Sequence, residues 1–235
     1  INSFDTSFYQ GTDATSTVTL QCTDGFRLLN NVSTGTAPIP GATAGQLSGA
    51  RVNTILDFSG FPGSLRDISV GDSTMQVDPG GNRGVLQAIQ TVEQSEFGAF
   101  FMARNGEAKF LSRDYVSKLA DFTVRDYSDV VSPTNFKYSN VDFAFDDQLI
   151  LNDVTVTESI ATYFTKSGQR SDILVQTDAE SLDQAETLLV ARKDADIRID
   201  SMNLNLVAPL TEFELLANLS MDIYTLVNVT RTMPG

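Results

Sequence analysis

The first hydrophobic pattern along the chain is an alternation of period two. Residues 15–22 interleave Thr, Ser and Gln with Val18, Leu20 and Cys22, the spacing of a strand with one buried face, because successive side chains of an extended chain point to opposite sides. Asp24-Gly25-Phe26-Arg27-Leu28-Leu29 then reads as a turn or short helix. A single strand has no stability alone, so residues 1–30 are expected to pair with another segment, in this chain or in a preceding part of a longer one. From Asn31 to Gly49 the chain is rich in Gly, Pro, Ala, Ser and Thr and has no period. That is linker composition, and a first domain boundary is expected there.

At Ala50 the period changes to that of a helix. Val52, Ile55, Leu56 and Ser59 fall on one helical face, and Gly60 stands where a helix stop is expected. Phe61-Pro62-Gly63 is a turn. A second helix is predicted from about Arg83 to Phe97, with Val85, Leu86, Ile89, Val92, Glu93 and Glu96 at spacings of three and four and Gly98 just past its end. Ala99-Phe100-Phe101-Met102-Ala103 and Ala108-Lys109-Phe110-Leu111 flank Arg104-Asn105-Gly106-Glu107. The Asn-Gly pair predicts a tight hairpin whose two central residues both take positive φ. Residues 50–115 therefore read as two helices and a hairpin, an α+β unit with Val52, Ile55, Leu56, Val85, Leu86, Ile89, Phe100 and Phe110 as its core.

After Ser132-Pro133-Thr134 the pattern is mostly strand. Phe136, Tyr138, Val141, Phe143 and Phe145 alternate with polar residues, and Leu149 to Thr157 continues with Leu151, Val154 and Val156. Another strand, Gln169 to Thr177, is centred on Ile173-Leu174-Val175. Asp178 is a good N-cap for a helix over Ala179 to Lys193 whose apolar face holds Leu182, Ala185, Leu188 and Leu189. Ile197 to Val207 alternates again, with a slip between Ile199 and Met202. A short helix, Thr211 to Leu219, leads to a last strand, Thr225 to Thr232. This order suits an antiparallel barrel or sandwich closed by one packed helix. The fold class expected is thus α+β, mainly β, and no internal repeat is visible.

Composition narrows the chemistry. The 235 residues are 41% apolar, enough for two ordinary domains or one large one, each with a core. Thirty Asp and Glu against sixteen Lys and Arg give a formal net charge of −14 spread along the chain. Such a surface repels DNA phosphates and anionic membrane, which argues against a nucleic-acid binder. The absence of histidine removes the commonest general base, proton shuttle and metal ligand, and with them Ser-His-Asp, Cys-His and His-based zinc sites. Cys22, the single cysteine, cannot form an internal disulfide and is expected to be a small buried apolar side chain on its strand. No apolar run approaches the roughly 18–20 residues of a membrane span, and no signal-peptide pattern opens the chain. The sequence starts at Ile1 instead of Met, so a longer chain that has lost its start is expected.

Three features invite a chemical reading. Asp142, Asp146 and Asp147, with Asp153 nearby, could offer oxygen ligands to Ca²⁺. Their spacing matches no EF-hand loop and lacks its Gly and terminal Glu, so a solvated strand edge and loop is the reading taken. Asp78-Pro79-Gly80-Gly81-Asn82-Arg83-Gly84 precedes a helix, where a glycine-rich loop can cradle phosphate. It has no following Lys-Ser/Thr, no dinucleotide pattern and no preceding apolar strand, so it reads as a turn. Paired carboxylates for glycoside hydrolysis could be drawn from thirty acids in many ways, and none is singled out. No catalytic, cofactor-binding or metal residue is assigned, and no enzyme is expected.

Residues 51–67, Arg-Val-Asn-Thr-Ile-Leu-Asp-Phe-Ser-Gly-Phe-Pro-Gly-Ser-Leu-Arg-Asp, resemble the minor tail proteins of long-tailed bacteriophages. There a helix of the form R-hydrophobic-N-x-I-L-D-x-x-G-W/F-P precedes R-D-I and a Gly-Asp-Ser/Thr turn. The resemblance continues in order through Gly71-Asp72-Ser73-Thr74, the helix Val85 to Glu96, Glu96-Phe97-Gly98-Ala99-Phe100-Phe101 and the Asn105-Gly106 hairpin. It resumes at Leu151 to Thr157, Ala185 to Arg192 and Val227 to Pro234. Family members usually carry Trp where Phe61 stands, and a further strand closes their barrel after the position of Gly235.

That resemblance implies a tail-tip protein similar to the baseplate hubs of contractile phages. In those, two tube-like β-barrels per subunit, separated by an intervening domain, let a trimer imitate the sixfold tail tube. Residues 1–30 would be the end of the first barrel, 31–132 the intervening α+β domain, and 133–235 most of the second barrel with its packed helix. The expected partners are other copies in a homotrimer and the tail-tube, distal tail and tape-measure proteins, in the tail tip of a virion. DNA would pass through the lumen without specific binding, kept from adhering by carboxylates on the wall. A receptor- or carbohydrate-binding module of the tail tip is the second reading, and a cell-wall-degrading enzyme the third.

Overall fold

The computed structural model describes residues 3–7, 17–115, 125–130, 135–145, 155–158, 162–163, 169–192, 197–204 and 218–232. The chain divides into two compact units, one of Ile1–Arg113 with Ile173–Gln176 and the other of Asp114–Asp172 with Thr177–Gly235.

In the first unit β1 (Ser3–Ser7) and β2 (Thr17–Gln21) pair antiparallel, with Phe4 opposite Leu20 and Thr6 opposite Val18. The strand expected near the start of the chain thus finds its partner within the first thirty residues. Asp24 caps α1 (Gly25–Asn30) by accepting the Phe26 N–H at 3.2 Å. Leu29 of α1 is buried, and the Phe26 ring lies 5.9 Å from that of Phe100.

Residues 31–45 carry no helix or strand, in keeping with their composition, yet Ile39 and Ala42 are buried in the core. β3 (Gln46–Leu47) leads directly into α2 (Ser48–Ser59), which ends at Gly60 with φ 74°. A 3₁₀ turn, Gly63–Leu65, delivers β4 (Arg66–Ile68), and β5 (Thr74–Met75) returns antiparallel to β3. α3 (Val85–Glu96), β6 (Ala99–Met102) and β7 (Ala108–Leu111) follow. β7 is central in a mixed sheet, antiparallel to β6 and parallel to β4.

The β6–β7 hairpin forms where expected, but its turn differs. Among the described non-glycine residues only Phe97 and Tyr224 have positive φ, so Asn105 does not, whereas Gly106 sits at φ 86°. Gly106 N donates to Ala103 O at 2.9 Å and Ala103 N to Glu107 O at 2.8 Å. This is a three-residue loop with one left-handed glycine. The Asn105 side chain accepts the Glu107 N–H at 3.1 Å, a local bond that suits Asn to the position.

Val52, Ile55, Leu56, Val85, Ile89, Phe100 and Phe110 form the core with Leu29, Ile39, Met75, Val92 and Leu174, and Leu86 packs against it half-buried. Leu174 belongs to the segment Ile173–Gln176, which lies antiparallel to β5 with Val175 opposite Met75.

The second unit contains β8 (Arg125–Ser128), β9 (Phe136–Lys137), β10 (Asn140–Phe145), β11 (Thr155–Glu158), β12 (Thr162–Tyr163), β13 (Gln169–Ile173, its last residue counted with the first unit), α4 (Asp178–Arg192), β14 (Ile197–Asn203) and β15 (Val227–Thr230). β10 and β14 pair antiparallel, and the register shifts between Asp142 and Phe143 so that Asp200 is an extra residue opposite them. The slip in the alternation between Ile199 and Met202 is this bulge. The sheet β15-β8-β9 is parallel throughout, contrary to the antiparallel expectation. Period two sets which face a residue takes and says nothing of strand direction. Among the described residues the sheets have two or three strands and close no barrel. Tyr127, Tyr138 and Val141 make a small core with Phe136, Met202, Leu204, Met221 and Val229.

α4 differs in two respects from the pattern. Its N-cap is Thr177, not Asp178: Glu180 N approaches Thr177 Oγ1 at 3.3 Å while Thr177 N reaches Glu180 Oε2 at 3.2 Å, a capping box. Ser181 and Gln184 are buried while Leu182 is 51% exposed, so the inward face is turned from the one the leucines mark. Residues 149–154 of the expected strand, 211–217 of the expected short helix and 132–134 lie outside the described residues.

Candidate functional site

The glycine-rich loop 78–84 is built as a brace. Asp78 is buried, and its Oδ2 accepts the Ile39 N–H at 2.9 Å and the Gly80 N–H at 3.3 Å. The Arg83 guanidinium pairs with Asp78 and donates to Gly80 O at 2.9 Å. Gly81 N donates to Thr36 O at 3.1 Å, Arg83 N to Thr34 Oγ1 at 3.4 Å, and Val85 N to Val32 O at 2.9 Å. A phosphate cradle needs such N–H groups aimed at the ligand; here they are used to hold residues 32–39.

Arg51 completes this cluster, and the sequence reading missed it. Its side chain is 1% exposed on the inner face of α2, with Nε donating to Gln46 Oε1 at 2.7 Å and Nη2 to Thr43 O at 2.7 Å and Gln76 O at 2.6 Å. Burial lowers its pKa, Asp78 opposes that shift and Arg83 adds to it; an arginine keeps its proton regardless. The available signal was periodicity, since Arg51 is one turn before Ile55 on the apolar face.

Two carboxylates at the end of α3 organise the neighbouring turns. Glu96, fully buried, accepts Asp72 N at 3.0 Å through Oε1 and Ser73 N at 2.8 Å through Oε2. Glu93 Oε1 accepts Phe100 N at 3.0 Å; burial pushes its carboxyl pKa up, and this hydrogen bond partly opposes the rise. A carboxylate at a helix C-terminus opposes the helix dipole, and these N–H donors offset that. The segments Gly71–Thr74 and Glu96–Phe101, separate in sequence, are thereby tied together.

Asp142 is exposed and accepts Asn140 Nδ2 at 3.0 Å and Ser201 Oγ at 2.8 Å, while Asp146, Asp147 and Asp153 lie outside the described residues. Among the described residues no group of three or more His, Cys, Asp or Glu is placed to hold a metal ion. Cys22 is exposed, not buried as expected. It lies one position past the last β1–β2 pair, Ser3 with Gln21, and Leu20 beside it is also exposed.

Several large apolar side chains are exposed in both units. A groove of about 640 Å³ in the first unit is lined by Leu28, Val32, Phe61, Pro62 and Leu65, with Asp24 at its edge, and Leu28 is 65% exposed. In the second unit the exposed Phe143 stands opposite the exposed Ile199, with the Arg231 guanidinium 5.7 Å from its ring centre. Tyr224 is exposed at φ 64°. Among the described residues no helix is long and apolar enough to cross a membrane.

No family model matches the sequence, and no curated protein matches it. The chain is similar in fold to the tail protein from Neisseria meningitidis MC58, whose crystal structure aligns with 97% of this chain and 68% of that one at a TM-score of 0.51 and 14% identity.

Proposed function

We propose that the chain is a structural component of a bacteriophage tail, placed at the tail tip as a hub-like subunit. The observation that carries this reading is the likeness in fold to a tail protein over 97% of the chain. The ordered tail-protein motifs support it, since Gly71–Thr74 and Glu96–Phe101 are joined through Glu96. In this reading the work is done at interfaces, with copies of itself in a trimeric ring and with the tail-tube, distal tail and tape-measure proteins. No residue is given a catalytic role. The second unit forms part of a tube-like wall in the assembled ring, where neighbouring copies cover exposed strand edges. With a net charge of −14, carboxylates facing the lumen would repel passing DNA.

Co-expression with the tail-tube and distal tail proteins of the same genome tests the reading. A complex holding three copies of this chain is the expected product. A chain that stays apart from both, at concentrations where those two associate, would refute it.

The exposed Tyr224 and Phe143 favour one second reading, a carbohydrate-binding module at the same tail tip, because exposed rings stack on sugars and a strained backbone is often held for a function. Binding on a glycan array that is lost in Tyr224→Ala would support it.

A further inference from the structure

We propose that Asn105 is a site of self-modification, at which the neighbouring Gly106 amide displaces the side-chain ammonia and leaves an aspartyl or isoaspartyl residue in the β6–β7 loop. The chemistry is intramolecular, with both reacting groups held on adjacent residues. The Gly106 main-chain nitrogen gives up its proton to hydroxide and attacks Asn105 Cγ. The new N–Cγ bond closes a succinimide ring, the Cγ–Nδ2 bond breaks, and Nδ2 takes a proton from water and departs as ammonia. Water then opens the ring at either of its two carbonyls. Nothing is oxidised or reduced: one water is consumed, one ammonia is released, and a carboxylate stands where the amide was.

Glycine is the residue whose amide nitrogen is least crowded, since it has no Cβ, and an Asn or Asp precedes a glycine at two places, Asp24-Gly25 and Asn105-Gly106. The structure separates them. Gly25 opens α1, and a Cβ on it would lie 2.8 Å from Met102 Sδ, so its backbone is helical and packed. Asn105 and Gly106 are exposed, and nothing lies within 4 Å of the same position on Gly106, so the loop has room to turn its nitrogen toward Cγ. The Gly106 N–H bond to Ala103 O at 2.9 Å must open for this, and water can replace it at an exposed site. A second bond favours the reaction. Glu107 N donates to Asn105 Oδ1 at 3.1 Å, the oxygen on which negative charge collects as nitrogen adds to Cγ, where a fixed N–H donor stabilises it.

Conversion puts a negative charge on a loop whose Gly106 lines the apolar groove together with Asp24 and Leu28. The isoaspartyl product also inserts a carbon into the main chain between Ala103 and Glu107, whose 2.8 Å bond closes the hairpin. The rim of the groove therefore changes with the age of the protein, whether or not the protein belongs to a tail.

Peptide mass spectrometry of the full chain, kept folded in neutral and in mildly alkaline buffer, tests this. The expected result is the mass gain of amide-to-acid exchange at Asn105, with isoaspartate detected by enzymatic methyl transfer and a rate that rises in proportion to hydroxide. Asn82 and Asn140, exposed but not followed by glycine, should stay unchanged over the same period, and Asn105→Gln should remove the isoaspartate signal. The same chain in urea gives the rate without a fold. An unchanged Asn105 in the folded chain, whatever happens in urea, would overturn the proposal. So would a rate that climbs only with the unfolded fraction at low urea, equal conversion of Asn82 and Asn140, or isoaspartate that persists in Asn105→Gln.

Discussion

The exit from α3 is made by two adjacent residues under different constraints. Phe97 takes the left-handed backbone, at φ 56°, whereas Gly98 does not and instead passes so close to β7 that a Cβ on it would lie 2.3 Å from Leu111 O. Gly60 is the opposite case, left-handed at φ 74° with open space around it. Gly60→Ala should therefore cost about 1–2 kcal/mol, and Gly98→Ala should cost more, at or beyond the top of the ~1–3 kcal/mol range for overpacking; urea midpoints of the two variants check the order. Asp78→Asn should cost about 3–5 kcal/mol, because the buried Arg51 and the partly buried Arg83 would be left near a neutral side chain. For Glu93 the folded pKa lies above the unfolded one, chiefly through burial. Its contribution to stability is thus full below the unfolded pKa and is lost as pH rises through the folded pKa. Glu93→Gln keeps an acceptor for Phe100 N and should melt higher than wild type at neutral pH, an advantage that shrinks as the medium is acidified. Melting curves across that range would contradict this if the difference stayed constant. Residues such as Gly60 and Val52 were legible because their signals are local. The roles of Arg51 and Gly98 were hidden, since both depend on distant chain: Thr43 O and Gln76 O for one, Leu111 O for the other.

At the scale of elements, spacing predicted where helices and strands stand better than how they join. The helices α2 and α3 lie close to their expected limits, and the slip in β14 marked a real bulge opposite Asp142 and Phe143. Strand direction in β15-β8-β9 was not visible, because alternation carries no direction and the partners of β15 and β8, such as Tyr127 and Val229, are more than ninety positions apart. In α4 the T-x-x-E pattern at Thr177 and Glu180 was present in the sequence and outweighs Asp178 as cap. Thr177→Ala should cost about 1 kcal/mol, read by thermal melts. Leu182, marked as core by periodicity but exposed, should tolerate Gln within about 0.5 kcal/mol. Leu174→Ala should cost about 2–5 kcal/mol. If Leu182→Gln proved the costlier of these two, the face assigned to α4 would be wrong. Residues 31–45 show the same limit from the other side: their composition is that of a linker, yet backbone bonds to the 78–84 loop and burial of Ile39 fix them to the core.

For the whole molecule, what remains to be explained is exposed apolar surface on a chain of net charge −14. Leu28 and the groove beside Phe61 in one unit, and Phe143 with Ile199 in the other, are costly to leave in water and are natural places for neighbours to cover. The acidic balance limits what those neighbours are, since nucleic acid and anionic membrane are repelled; other proteins fit better. The proposed tail-tip subunit would meet both conditions, and the likeness to a tail protein is one of fold. Cryo-electron microscopy of purified virions encoding this chain tests that assignment most directly. The account predicts three copies around the axis at the distal end of the tail tube, with the second unit in the wall of the channel. Density for the chain elsewhere in the particle, or its absence from the particle altogether, would contradict it.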